Sequence, residues 1–360
     1  MRFSTKDLLQ PFHTTWLPGE IQAAMLRLDL VHPLVQGNKW FKLKRNLEAA
    51  GPLPVVTFGG PWSNHLHAAA AACKLLGKPV TGIVRGEAPS APSRTLAEAA
   101  ALGMEIVHVP RAVYDAIKKG DLSARELDLP IAARLHAADG PQYPRKKNID
   151  PGETNPQTGN AASEPYLPIA AHLHAADGPQ LPKENTTLRA LLGTAFVIPE
   201  GGGNAEGAAG CEEILDLGDF RAFTHILCAT GTGTTLAGLI NGAAKRGIGA
   251  EIWGISALKG AFSVEPEIRA LLAEDRGNWG IFHDFHEGGF AKISPALIDG
   301  MNDFFDQTGI PTDRVYTGKL VLAFRKMLAD GHFPPGSRPL LIHTGGLQGN
   351  ASLPQGSLHF

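Results

Sequence analysis

The chain has 360 residues, 43% hydrophobic and 19% charged, with a formal net charge of −2, which suits two globular domains or one large α/β domain with an insertion and argues against disorder. Lys and Arg are not clustered, so neither nucleic acid nor an anionic membrane is expected as a partner. No run of about 18 apolar residues occurs, and MRFSTKDLLQPFHTTWLPGE carries charges and prolines where a secretion signal needs an apolar core, so a cytoplasmic protein is expected.

The first informative stretch in chain order is Leu34 to Leu47, LVQGNKWFKLKRNL. Gly37 and Asn38 permit a tight turn that hands Lys39 to the start of a helical pattern. A lysine presented there and partly desolvated has a lowered pKa and can act as Schiff-base nucleophile or proton shuttle. Equally, it can be a solvated charge, which is how Lys42 and Lys44 read. Residues 55 to 86 then alternate a β-rich run (VVTFGG), a helix with a glycine stop (HLHAAAAACKLLG) and a second strand (PVTGIVRGE), predicting one βαβ unit. Ser63 and Asn64 fall where that helix begins. Both suit an N-cap; alternatively, free N–H groups there bind a substrate carboxylate while the Asn amide reaches a cofactor phenolate oxygen.

From Ser123 to Thr187 the alternation gives way to Pro, Gly, Asn and Asp, predicting a peripheral, loop-rich insert. Within it LPIAARLHAADGPQYP (129–144) recurs as LPIAAHLHAADGPQLP (167–182), identical at 14 of 16 positions. This is a tandem duplication, too short in copies for a solenoid. Beyond it, AFVIPEGG, AEGAAGCEEILDL and THILCA read as a second βαβ unit, continued by TTLAGLINGAAKRG as helix and AEIWGISA as strand.

The segment Ala229–Gly238, ATGTGTTLAG, lies between a strand and a helix and offers a nest of backbone N–H groups and hydroxyls suited to one phosphate. No Lys follows the glycines and the G-x-G-x-x-G spacing is missing, so neither a Walker A loop nor a dinucleotide fingerprint is present. Near the C-terminus, RVYTGK and LLIHTGG place Tyr316 where it could stack on a flat ring and Thr344 where it could bond a ring nitrogen, at the strand ends that line α/β crevices. Each can equally be structural. Cys73, Cys211 and Cys228 lie apart in apolar stretches and read as reduced core residues. The pairs His65 with His67 and His283 with His286 lack further ligands at supporting spacing, so no metal site is expected.

Taken in this order, GNKWFKLK, TFGGPWSNH, IPEGGGNAEGAAGCEEI, TGTGTTLAGL, VYTGK and IHTGG resemble the pyridoxal 5'-phosphate (PLP) family that contains 1-aminocyclopropane-1-carboxylate (ACC) deaminase and D-cysteine desulfhydrase. The resemblance spans most of residues 20–120 and 188–348. It implies a tryptophan-synthase-β-like enzyme of fold type II, α/β, with two domains of open, parallel, twisted sheets covered by helices. The large PLP-binding domain would take 1–43 and 188–360, the small one 44–122, and the insert 123–187. PLP as cofactor, a small amino acid as substrate and a homodimer are also implied.

Carried onto these residues, the resemblance makes Lys39 the Schiff-base lysine and Asn64 a contact of the PLP ring oxygen. Thr230, Gly231, Thr232, Gly233, Thr234 and Thr235 would hold the phosphate. Tyr316 would pack on the ring and act in catalysis, with Thr317 beside it and Thr344 at the pyridine nitrogen. Ser63, Asn64, His65 and Phe290 would face the substrate, Ser63 beside its carboxylate. Deaminases of the family carry Glu after the motif Tyr and Leu before the last Gly-Gly, whereas desulfhydrase-like members carry small hydroxyl residues at both. Thr317 and Thr344 therefore favour D-cysteine: a hydroxyl leaves the ring a weaker electron sink, adequate for expelling thiolate. Phe290 departs from a family active-site Tyr and puts the substrate in question. ACC deamination, elimination on another amino acid, a PLP-binding protein with little catalysis, and nucleotide binding at GTGTT are the competing readings.

Overall fold

The computed structural model describes residues 8–121, 123, 125–128 and 186–360. The chain begins with an antiparallel pair, β1 (Leu9–Pro11) and β2 (Ala24–Arg27), and enters α1 (Asn38–Ala49). It continues through β3 (Val55–Gly59), α2 (Asn64–Leu75), β4 (Val80–Arg85), α3 (Arg94–Ala101), β5 (Met104–Val109) and α4 (Arg111–Lys118). From residue 186 onward come α5 (Leu188–Thr194), β6 (Phe196–Ile198), α6 (Ala205–Glu212), β7 (His225–Thr230), α7 (Thr234–Arg246) and β8 (Glu251–Ser256). The remainder is α8 (Val264–Arg269), β9 (Trp279–Phe282), α9 (Pro295–Thr308), α10 (Thr317–Ala329) and β10 (Pro339–His343).

These strands form two sheets, one ordered β1-β2-β10-β7-β8-β9 and the other β5-β4-β3-β6, parallel throughout except for β1. The α/β class expected from the alternation therefore holds. Strand sequences are Val/Ile-rich and buried on both faces, as parallel sheets covered by helices require. Alternate residues of β10 divide the core: Leu340 and Ile342 join a central cluster with residues of α1, α2, α6 and α7, while Leu341 joins Phe304, Leu320 and Phe324 of α9 and α10. That central cluster also takes in Val55 and Val84 of the second sheet, so one apolar layer serves both sheets. The opposite face of the second sheet, with Val56, Ile83 and Val107, is covered by α4 and α5.

The first βαβ unit forms as its sequence predicts, β3 and β4 pairing in parallel around α2. The second does not. β6 pairs with β3, whereas β7 lies in the six-stranded sheet beside β10 and β8, so α6 carries the chain from one sheet to the other. Within that sheet β7-α7-β8 completes a crossover, and β8-α8-β9 completes the next. The strand at 196–198 thus belongs to the sheet of 55–109, although its residues fall within the range expected for the large domain, and α1 runs through the expected boundary at 43/44.

The duplicated copies at 129–144 and 167–182 lie outside the described residues. On either side of them Asp128 and Arg189 meet, Arg189 Nε donating to Asp128 Oδ1 at 2.5 Å and Nη2 to Oδ2 at 3.0 Å. Cys73, Cys211 and Cys228 are buried free thiols, as expected. Among the described residues no helix is long and apolar enough to cross a membrane.

Candidate active site

The ends of β3, β7 and β10 and the starts of α1, α2, α7 and α10 carry the residues singled out by sequence. At the head of α1, Gly37 has φ 66° and ψ −148°, backbone that only glycine adopts readily. A Cβ there would fall 1.9 Å from the Thr344 carbonyl oxygen, which accepts the Asn38 N–H at 3.2 Å. This contact presses the Lys39 turn onto the end of β10. Asn38 then spans the site, its Nδ2 donating to Thr235 Oγ1 at 2.8 Å and its Oδ1 accepting from Lys39 Nζ at 3.0 Å. Lys39 keeps some accessible surface, yet its amine end is enclosed. Burial first, and the like charge of Lys42 second, lower its pKa from 10.5 to about 7.

The β7–α7 turn forms the expected nest. Gly233 sits in the left-handed region at φ 74°, and a Cβ on it would strike Ile268 at 2.5 Å. No side chain caps α7, so its first N–H groups remain for an anion. Thr232 Oγ1 lies 3.0 Å from Thr234 Oγ1 and accepts from Lys42 Nζ at 3.3 Å. Thr230 behaves differently: its hydroxyl turns back to the Cys228 carbonyl at 3.3 Å and serves the strand end.

Lys42 corrects the expectation of a solvated charge. It is only 3% exposed, burial lowers its pKa, and it points a cation at the nest. Lys39 and Lys42, three residues apart, share one face of α1. That spacing was the available signal. Lys44 does lie at the surface, paired with Glu213 at 2.6 Å.

At the head of α2, Ser63 is the N-cap, its Oγ accepting from the Leu66 N–H at 3.3 Å. The hydroxyl proton is still available to a ligand, so capping and ligand binding are compatible. Asn64 approaches the final turn from the other side: a Cβ on Gly346 would sit 3.1 Å from Asn64 Nδ2 and 3.2 Å from Asp313 Cγ. His65 is buried. Thr57 Oγ1 donates to the Ile198 carbonyl at 2.9 Å, so at 2.8 Å it accepts from His65 Nε2, which fixes the tautomer and leaves Nδ1 a bare acceptor. Burial, followed by repulsion from Lys39 and Lys42, holds His65 neutral, its pKa well below 6.5.

Tyr316 lies against Gly231, where a Cβ would be 3.3 Å from its ring and hydroxyl. Burial, then Asp313 and Glu200, push its phenol well above the usual range. Thr317 faces elsewhere: its hydroxyl donates to Asp313 Oδ1 at 2.7 Å and accepts the Asp313 N–H at 2.7 Å. The same carboxylate accepts the N–H groups of Val315 and Tyr316 at 2.9 Å and of Thr317 at 2.8 Å. Asp313 thus organises the start of α10 and sets a buried anion near Lys39. In sequence it looks like any capping aspartate. Thr344 is buried against the Gly37 turn, and Phe290, 56% exposed, sits edge-on to Tyr316 with ring centres 6.4 Å apart.

No family model matches the chain. It is 29% identical over 167 residues to a Thermotoga maritima protein named provisionally as a 1-aminocyclopropane-1-carboxylate deaminase, across 43% of this chain and 52% of that protein. It is 25% identical over 170 residues to D-cysteine desulfhydrase of Salmonella paratyphi B and of Salmonella typhi, across 42% of this chain and 50% of each. The chain therefore spans about half the length of the curated relatives it matches. A solved ACC deaminase homologue superposes with a TM-score of 0.66 at 21% identity, covering 97% of this chain and 91% of that one. O-ureido-L-serine synthase follows at 0.53 and 11%, covering 96% and 90%. The fold is thus the parallel two-sheet α/β fold of those enzymes. Within that class the chain is related to proteins named ACC deaminase and D-cysteine desulfhydrase, the family its motifs resemble.

Proposed function

We propose that this chain binds PLP at Lys39 and catalyses the α,β-elimination of D-cysteine to pyruvate, sulfide and ammonia. The observation that carries the reading is the enclosed Lys39 amine, with a pKa near 7, tied through Asn38 to the Thr235 end of an uncapped helix N-terminus. The residues fit the cofactor. A neutral amine suits an aldehyde, and the Thr232–Thr235 turn with the Lys42 ammonium suits a single phosphate. Tyr316 would supply a flat face and Asn64 an amide to the cofactor ring. When bound, PLP contributes the electron sink that makes an amino-acid Cα–H bond breakable.

The protein's own groups do the rest. Lys39, whose pKa of about 7 leaves a large share of the amine neutral at that pH, would take the Cα proton. The Ser63 hydroxyl and the start of α2 receive the substrate carboxylate, where the helix dipole favours an anion. Neutral His65 beneath them adds no competing charge. Thr344, if it meets the ring nitrogen, would offer a hydroxyl rather than a carboxylate, which suits departure of a stable thiolate. Once the C–S bond breaks, the three-carbon enamine hydrolyses to pyruvate and ammonia. A cytoplasmic homodimer belongs to the same reading.

The Thermotoga relative's name favours a second substrate, ACC. One assay separates the two: absorbance of the purified, PLP-supplied protein before and after D-cysteine or ACC, with keto acid and sulfide measured in the same tube. The expected result is a visible cofactor band that shifts with D-cysteine while pyruvate and sulfide appear, and that Lys39→Ala removes. Keto acid from ACC alone would establish the deaminase. Absence of the band after added PLP would refute both.

A further inference from the structure

Residues 286–291 form a loop whose backbone is strained on both sides of Phe290. Among the described residues, the non-glycine positions with positive φ are Glu287 at 49° and Ala291 at 55°, and Gly288 and Gly289 between them stand at 84° and 116°. Strain of this kind persists only where surrounding contacts over-determine the backbone. Ser294 Oγ donates to the Glu287 carboxylate at 2.7 Å, and the loop's carbonyls are held by two cations of one segment. Lys319, buried in the first turn of α10, donates from Nζ to the carbonyls of Gly289 at 2.6 Å, His286 at 2.8 Å and Ala257 at 3.4 Å. Arg314 Nη1 donates to the Ala291 carbonyl at 2.8 Å. The carbonyls on either side of Phe290 are thus both held by cations, and between those cations in sequence lies Tyr316, the ring that Phe290 meets.

We propose that Lys319 and Arg314 are positioning residues that hold Phe290 against Tyr316 as an apolar wall of the substrate site. The proposal rests on the functional reading given above and assigns that site to amino acids with an uncharged side chain. Phe290 is 56% exposed, so one edge-on ring contact is little to fix it without the clamp on its flanking carbonyls. Lys319 suits the task, because an ammonium has three donors and three carbonyls converge on it. Glu287, Asp313 and Arg314 are the charged groups whose fields reach it, and burial lowers its pKa to about 8.

The test uses Lys319→Met in the full chain, with Arg314→Gln as a second variant should the first not fold. Amide hydrogen exchange across 286–292 reads the loop without reference to activity, since the Gly289 N–H bonds the His286 carbonyl and the Lys292 N–H the Gly289 carbonyl. Exchange there should rise about tenfold while β8 and the core of α10 keep their protection. With D-cysteine, KM should rise several-fold with PLP uptake unchanged, and Phe290→Ala should reproduce the KM effect without the exchange effect. Unchanged exchange in both variants overturns the clamp. Faster exchange with an unchanged KM overturns the role in substrate binding. If wild-type protein takes up no PLP and turns over no amino acid, the functional reading falls, while the exchange data still decide whether the clamp exists.

Discussion

A lysine amine in water keeps its proton to about pH 10.4, and Lys39 departs from that because its amine is enclosed and Lys42 stands beside it. Two consequences follow in opposite parts of the pH scale. Uptake of PLP needs the neutral amine, so its rate should climb as pH rises through about 7 and then level off. Lys42→Met removes the neighbouring charge, so the midpoint of that profile should move to higher pH while the phosphate is held less tightly. For stability, the folded chain binds fewer protons at Lys39 than the unfolded chain between about 7 and 10.5, so this residue's contribution rises with pH across that window. Stopped-flow absorbance and urea unfolding at several pH values check the two. Gly37→Ala should cost on the order of 1–3 kcal/mol from backbone strain alone, and more from collision with the Thr344 carbonyl, with loss of cofactor binding. Lys39 and Gly37 drew attention because GNKWFKLK stands in order with five other motifs, whereas the turn by itself fits a solvated lysine as well. Lys42 was not, because spacing reveals a shared helix face but not which face is buried.

At the scale of an element, helix starts carry most of the candidate site, and Ser63, which caps α2, is also the residue proposed to receive the substrate carboxylate. Ser63→Ala should lower stability by about 1 kcal/mol, the usual value of an N-cap, and depress turnover further than the stability loss explains. Thermal melts set beside kcat/KM would show it. Thr317→Val strips Asp313 of two buried partners and should cost about 1–3 kcal/mol, with the absorbance of bound PLP unmoved. A spectral change would instead return Thr317 to the cofactor ring. The strand–helix–strand pattern of 55–86 was legible because Val/Ile runs and a helix with a glycine stop follow one another closely. β6 was misplaced for a physical reason: a three-residue strand has too little pattern to state its partner, and pairing with β3 is decided by packing of the whole second sheet. Asp313 escaped notice because its value lies in four bonds that only the folded turn assembles.

Across the whole molecule, one apolar layer joins both sheets, and the site lies where their strand ends and helix starts meet. The segments at 37–39, 63–65, 230–235 and 313–319 rest on that layer and on the second cluster beneath α9 and α10, and none sits next to the duplicated copies in sequence. Deleting 130–167, one repeat unit, should leave turnover and melting temperature unchanged, as activity assays and calorimetry would record. Loop length itself matters little, since each doubling costs only about 0.6 kcal/mol. The ion pair between Asp128 and Arg189 gives that tolerance a location. It acts as a stitch across a doorway, holding the two flanks side by side at the surface, Asp128 ahead of the segment and Arg189 just behind it. An affinity tag or a reporter domain spliced between 129 and 185 should on that account leave turnover unchanged, because the two flanks already meet.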